Sequence, residues 1–461
     1  MDNSVICAFA TPPGRGAIAV ARVSGEGAIA LCEEITRLRD GRKLSACPAR
    51  ALLVGDIMDG ETCLDEAMIA LFRSPRSFTG EESVEISCHG SVYIQQRLLQ
   101  LLVAAGARIA SPGEFTRRAF LNGKIDLPRA EAVMDLVSAN TPVAHDMAMK
   151  QMRGGFSSGL EALREELLRV ASLVELELDF AEEEVTFADH HELLAIARHA
   201  REVIVGLRDS FSLGNVLKNG VPAAIVGPPN AGKSTLLNTL AREERAIVSP
   251  REGTTRDAIE EIINIRGIDF RFIDTAGIRE TDDEIEAMGV ERAIAAIKRS
   301  RVVLLLVDAP RLSSFPCYRD RVREHLSPGA SLVILLNKID VMDAPDTLAG
   351  EIRALYPGET FLPLSARTGE GVDDLLHFLF SVVATDMHVS PVLVSNARHH
   401  ESLARAAESL DRLLEGLSSG LGGELLSRDL RDALHYIGEI TGEITTREIL
   451  GNIFKNFCIG K

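Results

Sequence analysis

Apolar residues along this chain change their spacing three times, and each change marks a different kind of element. Over the first ~120 residues, short β-rich runs alternate with turns: SVICAFA, AIAVARVSG, RALLVGDI, DEAMIALF and SVEISCHG. The segment YIQQRLLQLLVAAG follows, apolar at every third or fourth position, so the region reads as α/β. From about Asp126 the texture becomes helical. Leu160, Leu163, Leu167, Val170, Ala171, Val174 and Leu178 repeat at helical spacing, as do Leu193, Leu194, Ala197, Val203, Ile204 and Leu207. At Val221 buried-strand runs return (AAIVG, FRFIDT, VVLLLVD, LVILLN), each followed by a loop and a helical stretch, which predicts a doubly wound, mainly parallel sheet. After about Ala384, Leu403, Ala407, Leu410, Leu414 and Leu417 restore the helical period. The simplest topology is a helical domain interrupted by an α/β insertion. The expected boundaries are 1–123 (α/β), 124–217 (helical), 218–383 (inserted α/β) and 384–461 (helical).

At 461 residues the chain is long enough for about three domains. Its formal net charge of −17 excludes generic adhesion to DNA or to an anionic membrane, and leaves RNA binding to local basic clusters. No apolar run exceeds about six residues (Val302 to Val307), far short of a bilayer span. The opening MDNSVICAFA has no basic leader, and the seven cysteines lie too far apart for a CxxC pair. A soluble cytoplasmic protein is expected. Charge is uneven: residues 161–200 hold eleven acidic and three basic side chains. The run Glu182-Glu183-Glu184 reads as a solvated acidic face rather than a metal site, because consecutive carboxylates point different ways. Residues 111–130 carry Arg117, Arg118, Lys124 and Arg129 against Glu114 and Asp126, either a basic patch for an anion or ordinary surface.

The strongest chemical signal is AAIVGPPNAGKST, where a buried strand runs into Gly227-x-x-x-x-Gly232-Lys233-Ser234 and a leucine-rich helix. Glycines let backbone N–H groups close around phosphate oxygens, Lys233 reaches the outer phosphates, and Ser234 ligates Mg2+. The loop Asn230, Ala231, Gly232, Lys233, Ser234, Thr235 is the candidate phosphate cradle. Asp274, Thr275, Ala276 and Gly277 close the strand FRFID, where a carboxylate steers the magnesium shell and an amide meets the γ-phosphate. Asn337, Lys338 and Asp340 close LVILLN. A carboxylate there accepts two hydrogen bonds from guanine and finds mismatched groups on adenine, which selects GTP as substrate. Ser365, Ala366 and Arg367 complete the base pocket. These motifs resemble the translation-factor-like branch of P-loop GTPases.

Two departures bear on mechanism. Ile278 stands where Ras-like proteins place a water-orienting glutamine, so another group must hold the attacking water. The loop Ser249, Pro250, Arg251, Glu252, Gly253, Thr254, Thr255 supplies Thr255 as a second Mg2+ ligand. Asn230 is either a turn residue or a ligand to a monovalent cation that neutralises transition-state charge.

Taken together, ATPPGRGAIAVARVSG, SFTGEESVEISCHG, PGEFTRRAFLNGKIDL, GPPNAGKSTLLN, EGTTRD, DTAGIRE and the ending FCIGK resemble the MnmE (TrmE) tRNA-modification GTPase family from end to end. The resemblance implies an N-terminal α/β tetrahydrofolate-binding and dimerisation domain, a discontinuous helical domain and an inserted Ras-like P-loop GTPase. It implies action with the flavin- and NADH-dependent MnmG (GidA), forming an aminomethyl-type group such as carboxymethylaminomethyl on the wobble uridine of certain tRNAs. Arg22, Glu85, Lys124 and Lys461 match contacts to a 5-formyl- or methylene-tetrahydrofolate donor. Asn230, Ser249, Arg251 (through its carbonyl) and Thr254 match K+ ligands. Glu286 matches the glutamate that positions the attacking water, and Cys458 matches a functional C-terminal cysteine. By themselves these residues also read blandly: Arg22 as a surface charge, Glu85 as a strand-face acid, Glu286 as one solvated acid in ETDDEIEAMG, Cys458 as a small hydrophobe. The resemblance further implies a homodimer. Competing readings are a ribosome-assembly GTPase of the Era or EngA type, which predicts a basic RNA-binding module that this chain lacks, and a free-standing folate-dependent aminomethyltransferase with a regulatory GTPase.

Overall fold

The computed structural model of the chain describes residues 4–179, 190–243, 261–273, 285–310, 312, 315–342, 350, 352–354, 356–384, 393–419, 421–455 and 457–460. By internal contact it divides into two units, residues 1–138, 149–189 and 421–461 in one, 139–148 and 190–420 in the other.

In the first unit, seven strands form one sheet: β1 (Ile6–Phe9), β2 (Ile18–Ser24), β3 (Thr36–Leu38), β4 (Leu52–Asp59), β5 (Thr62–Phe72), β6 (Ser83–His89) and β7 (Arg108–Ile109). Their order is β3-β4-β5-β6-β2-β1-β7, and only β1–β7 is parallel. Strand alternation sends Ala19, Ala21, Val23, Leu53, Ile57, Ile69, Leu71, Val84 and Ile86 into one core with the helices Ala28–Glu34 and Val92–Ala104. The other face carries Leu52, Val54 and Met68, all exposed, together with the Arg22–Glu85 pair. The long helix Gly155–Asp179 packs on Gly423–Thr441, joining the two helical ends of the chain within this unit. The C-terminal helix Arg447–Phe454 and the turn after it bring Phe454 and Phe457 onto Leu127 and Ala130.

The second unit holds the expected doubly wound sheet: β8 (Val221–Val226), β9 (Glu261–Ile265), β10 (Ile268–Phe272), β11 (Val302–Asp308), β12 (Ser331–Asn337) and β13 (Thr360–Pro363). The order β13-β12-β11-β8-β10-β9 is parallel except at β9. Strand β11 shows why the sequence reads as a continuous apolar run. Val302, Leu304 and Leu306 enter one core, while Val303, Leu305 and Val307 enter the core on the opposite face. Periodicity missed β9, which is hairpinned to β10 through Arg266 (φ 49°) and Gly267 (φ 87°) rather than followed by a helix. Here the helix His190–Asp209 packs on Ala397–Ser419. No helix among the described residues is long and apolar enough to cross a membrane.

Candidate functional site: a nucleotide pocket and a folate-type constellation

Strand β8 pairs with β10 on one side and β11 on the other, so the loop after it leaves the sheet at the point where strand order reverses, the usual position of a ligand crevice. That loop is the one expected from sequence to cradle phosphate. Asn230 holds a left-handed φ of 61°, and Gly232 sits at φ 99° with its α-carbon so close to Asn337 that an added Cβ would lie 2.4 Å from the Asn337 amide nitrogen. The helix Lys233–Glu243 begins directly after it, so Ser234 and Thr235 stand at a helix N-terminus. Lys233 donates from Nζ to the carbonyls of Gly227 (2.9 Å) and Pro228 (2.8 Å), which holds its ammonium over the loop. Burial pushes its pKa down from the ordinary lysine value, because desolvation disfavours the charged ammonium.

The expected base-pocket residues are tied to the same loop through Asn337. Asn337 donates from Nδ2 to the Ala231 carbonyl at 2.6 Å and accepts from the Ala366 amide at 2.9 Å. Thr239, on the loop's own helix, donates to the Ala366 carbonyl at 2.7 Å. Asp340 accepts from the Ser365 hydroxyl at 2.6 Å and pairs with Arg367, and these, the Ser365 bond first, hold its carboxyl below the usual aspartate range. An ionised acceptor fixed at a strand end is what the guanine N–H edge requires. Lys338, at φ 69°, donates to Asp308 at 2.9 Å. Sequence reading missed Asp308 and Thr239. Asp308 had a signal, since it closes the apolar run VVLLLVD beside the strand ending in Asn337; Thr239 had none.

The donors offered to a metal here are hard oxygens, Ser234 among them, and among the described residues no three His, Cys, Asp or Glu side chains cluster as a metal site. That set fits Mg2+ shared with phosphate oxygens. Thr255, the rest of Ser249–Thr255, Asp274–Gly277, Ile278, Glu182–Glu184 and Lys461 lie outside the described residues, as does the Glu286 side chain.

In the first unit, Arg22 and Glu85 are directly opposite on β2 and β6 and form an ion pair of 2.8 Å. The Arg22 guanidinium also lies over the rings of Phe78 (5.4 Å) and Phe115 (5.7 Å), two residues that sequence reading missed. Lys124 donates to the Pro75 carbonyl at 2.9 Å and lays its stem against Gly80. The loop between β5 and β6 therefore links all three expected residues. Beneath it, Arg118 is buried and binds both Glu81 (3.1 Å) and Glu114 (3.2 Å), and Arg129 pairs with Asp126 at 3.1 Å. Arg117, Arg118 and Arg129 are thus engaged in ion pairs, and Arg118 and Lys124 both contact the loop. The chain end approaches the same region. The Gly113 amide donates to the Cys458 carbonyl, and Gly460 fits so tightly on Phe9 that a Cβ would sit 2.1 Å from that carbonyl oxygen. Cys458 is exposed.

A phosphate-type loop at the sheet's switch point, tied through Asn337 to the strand end that Asp340 follows, defines a P-loop GTPase, here carried on a chain with a second sheet of its own. Family descriptions agree on both parts: the MnmE helical domain matches residues 127–458, and the GTP-binding protein TrmE N-terminus matches residues 5–124. The tRNA modification GTPase MnmE of Christiangramia forsetii is 48% identical over 471 residues, covering 100% of this chain and 99% of that protein. That of Parabacteroides distasonis is 47% identical over 463 residues, covering 99% and 100%. A crystal structure of Era with MgGDPNP and a 16S ribosomal RNA fragment is 28% identical, covers 41% of this chain and 65% of that one, and has a TM-score of 0.27, too loose a likeness to carry weight. The chain belongs to the MnmE family of tRNA modification GTPases.

Proposed function

We propose that GTP hydrolysis in this protein drives an aminomethyl-type modification, such as carboxymethylaminomethyl, at carbon 5 of the wobble uridine in certain tRNAs. The reaction is shared with an MnmG-class flavoprotein in a heterotetramer-type complex, in the cytoplasm. The observation that carries this reading is the pairing of a guanine-selective site around Asp340 with a second, separate constellation at Arg22, Glu85 and Lys124. A carboxylate that accepts from a pterin N–H edge, flanked by cations for a glutamyl tail, suits a tetrahydrofolate one-carbon donor. When bound, that donor supplies the carbon; the chain's residues orient it. The N-terminal sheet also presents Val54 opposite Met68, half exposed on its open face, a strip that suits a second copy of the chain in a homodimer.

In the GTPase reaction, Lys233 meets the outer phosphates and Ser234, with Thr255, holds Mg2+. Asn230, Ser249, Arg251 and Thr254 would hold K+, which would supply positive charge beside the phosphates, and Glu286 would position the water that Ile278 does not. The left-handed φ of Asn230 also suits an asparagine as a turn residue, and the two roles separate in the cation dependence of GTP turnover. On this reading the chain divides after residues 123, 217 and 383.

The deciding experiment is nucleoside analysis of tRNA from cells lacking the protein, complemented with the wild type, Asp340→Asn or Lys124→Ala. The wobble modification disappears in the deletion and returns only with the wild type. A normal nucleoside profile accompanied by a ribosomal-subunit defect would instead establish the ribosome-assembly reading.

A further inference from the structure

Four residues form one transverse row on the open face of the N-terminal sheet. Register places Leu52 opposite Ala70, Ala70 opposite Glu85, and Glu85 opposite Arg22, across β4, β5, β6 and β2. Three strand spacings of ~4.8 Å make the row about 14 Å long. Ala70 is the small member, so the row dips between the Arg22–Glu85 pair and Leu52. At that dip lies a groove of about 380 Å³, lined by Leu52, Ala70, Phe72, Phe78, Arg50 and Arg76 among others. Such a volume suits part of a small ligand. Phe78 belongs to both halves, walling the groove and carrying the Arg22 guanidinium on its ring.

The two arginines of the groove differ from their basic neighbours. Arg22 is paired with Glu85, Arg73 donates to the carbonyls of Ser45 and Cys47, and Lys124 donates to Pro75. Neither the Arg50 nor the Arg76 guanidinium has a carboxylate or hydrogen-bond partner among the described residues. A groove with apolar and aromatic walls and two unengaged planar cations matches an aromatic ring bearing carboxylates, because guanidinium binds carboxylate bidentately.

We propose that this groove is a subsite for the aminobenzoyl-glutamate tail of the folate, with the ring between Leu52 and Phe78 and the carboxylates on Arg50 and Arg76. It rests on the folate reading of Arg22, Glu85 and Lys124, and adds to it a preference for donors with more than one glutamyl residue. An RNA phosphate would use the two cations but would leave the apolar walls unused.

Calorimetry on the full chain tests this with three ligands: 5-formyl-tetrahydrofolate, its pentaglutamate form, and a tetrahydropterin without the tail. The wild type binds the pentaglutamate tighter than the monoglutamate by about tenfold, one charge-assisted contact's worth. The double variant Arg50→Gln, Arg76→Gln reduces that ratio to within about twofold, leaves tail-less pterin binding unchanged and leaves GTP turnover unchanged. Ala70→Leu, which fills the floor of the groove without touching a charge, weakens both tailed ligands and spares the tail-less one. Wild-type affinity for both tailed ligands in the arginine variant would overturn the subsite while leaving the folate reading intact, even if tRNA binding fell. Failure of the wild type to bind any of the three ligands would overturn both.

Discussion

Asn337 binds Ala231: the side-chain amide at the end of β12 donates to the carbonyl in the middle of the phosphate loop at 2.6 Å, a separation in sequence of 106 residues. Its oxygen accepts from the Ala366 amide, so one buried side chain fixes the distance between the phosphate cradle and the guanine pocket. Removing it leaves a buried carbonyl and a buried amide without partners. Asn337→Ala therefore destabilises the nucleotide-binding unit by about 2–6 kcal/mol and weakens GTP binding, since each orphaned group costs ~1–3 kcal/mol. Asn337→Asp, which sets a buried carboxylate oxygen against the Ala231 carbonyl, costs at least as much as Asn337→Ala. Urea denaturation alongside GTP titration checks the order; equal stability of all three proteins contradicts it.

Asp340→Asn exchanges an ionised acceptor for an amide that donates where guanine also donates. GTP affinity drops by roughly 30- to 1,000-fold, the loss of about 2–4 kcal/mol of charge-assisted hydrogen bonding. Selectivity moves towards xanthosine nucleotides. Competition binding with GTP, XTP and ATP measures this, and unchanged guanine preference removes Asp340 from the base pocket.

Glu85→Ala and Lys124→Ala each lower affinity for 5-formyl-tetrahydrofolate by about tenfold or more, while GTP hydrolysis is retained. The Arg22–Glu85 pair is part-exposed, so its loss changes stability by no more than about 1 kcal/mol. Wild-type folate binding in both variants would move the donor site elsewhere.

Glu114 links stability to acid. Burial alone would raise its carboxyl, but hydrogen bonds from Arg108, the Ser111 amide and Arg118 overcome that and bring it from 4.5 to about 2. A carboxyl whose folded pKa is depressed stabilises the fold above its unfolded pKa and loses that contribution as pH falls through the folded value. The stability difference between the wild type and Glu114→Gln is therefore full near pH 6 and shrinks steadily between about pH 4.5 and about pH 2. Denaturation midpoints across that range report it. A difference that stays constant down to pH 2.5 refutes the assignment.

Steady-state GTP turnover at fixed ionic strength decides the role of Asn230. Potassium stimulates over sodium by about tenfold or more, corresponding to at least ~1.4 kcal/mol of transition-state stabilisation. Asn230→Ala removes the preference, whereas Glu286→Ala slows turnover and leaves ion-dependent pairing of the nucleotide-binding units, read by light scattering with a transition-state mimic. Equal rates in the two cations refute the ion mechanism and leave the GTPase intact.

The strand–loop–helix around Gly227 to Ser234, the strand end before Asp340 and the parallel sheet are legible in the sequence, because each is local: a strand, a turn and a helix start within a few consecutive residues. The sequence also determined which strands are buried on both faces, since Val302 to Val307 leaves no polar side for solvent. Only the tertiary structure decided which distant residues meet. The Arg22–Glu85 register, the ring of Phe78 under Arg22 and the approach of Gly460 to Phe9 depend on strand order and on close packing across tens to hundreds of residues. It likewise decided that Arg118 and Arg129 are engaged inside the fold while Arg50 and Arg76 line an open groove. An arginine carries the same charge in every sequence; whether a carboxylate already answers it is set by the fold.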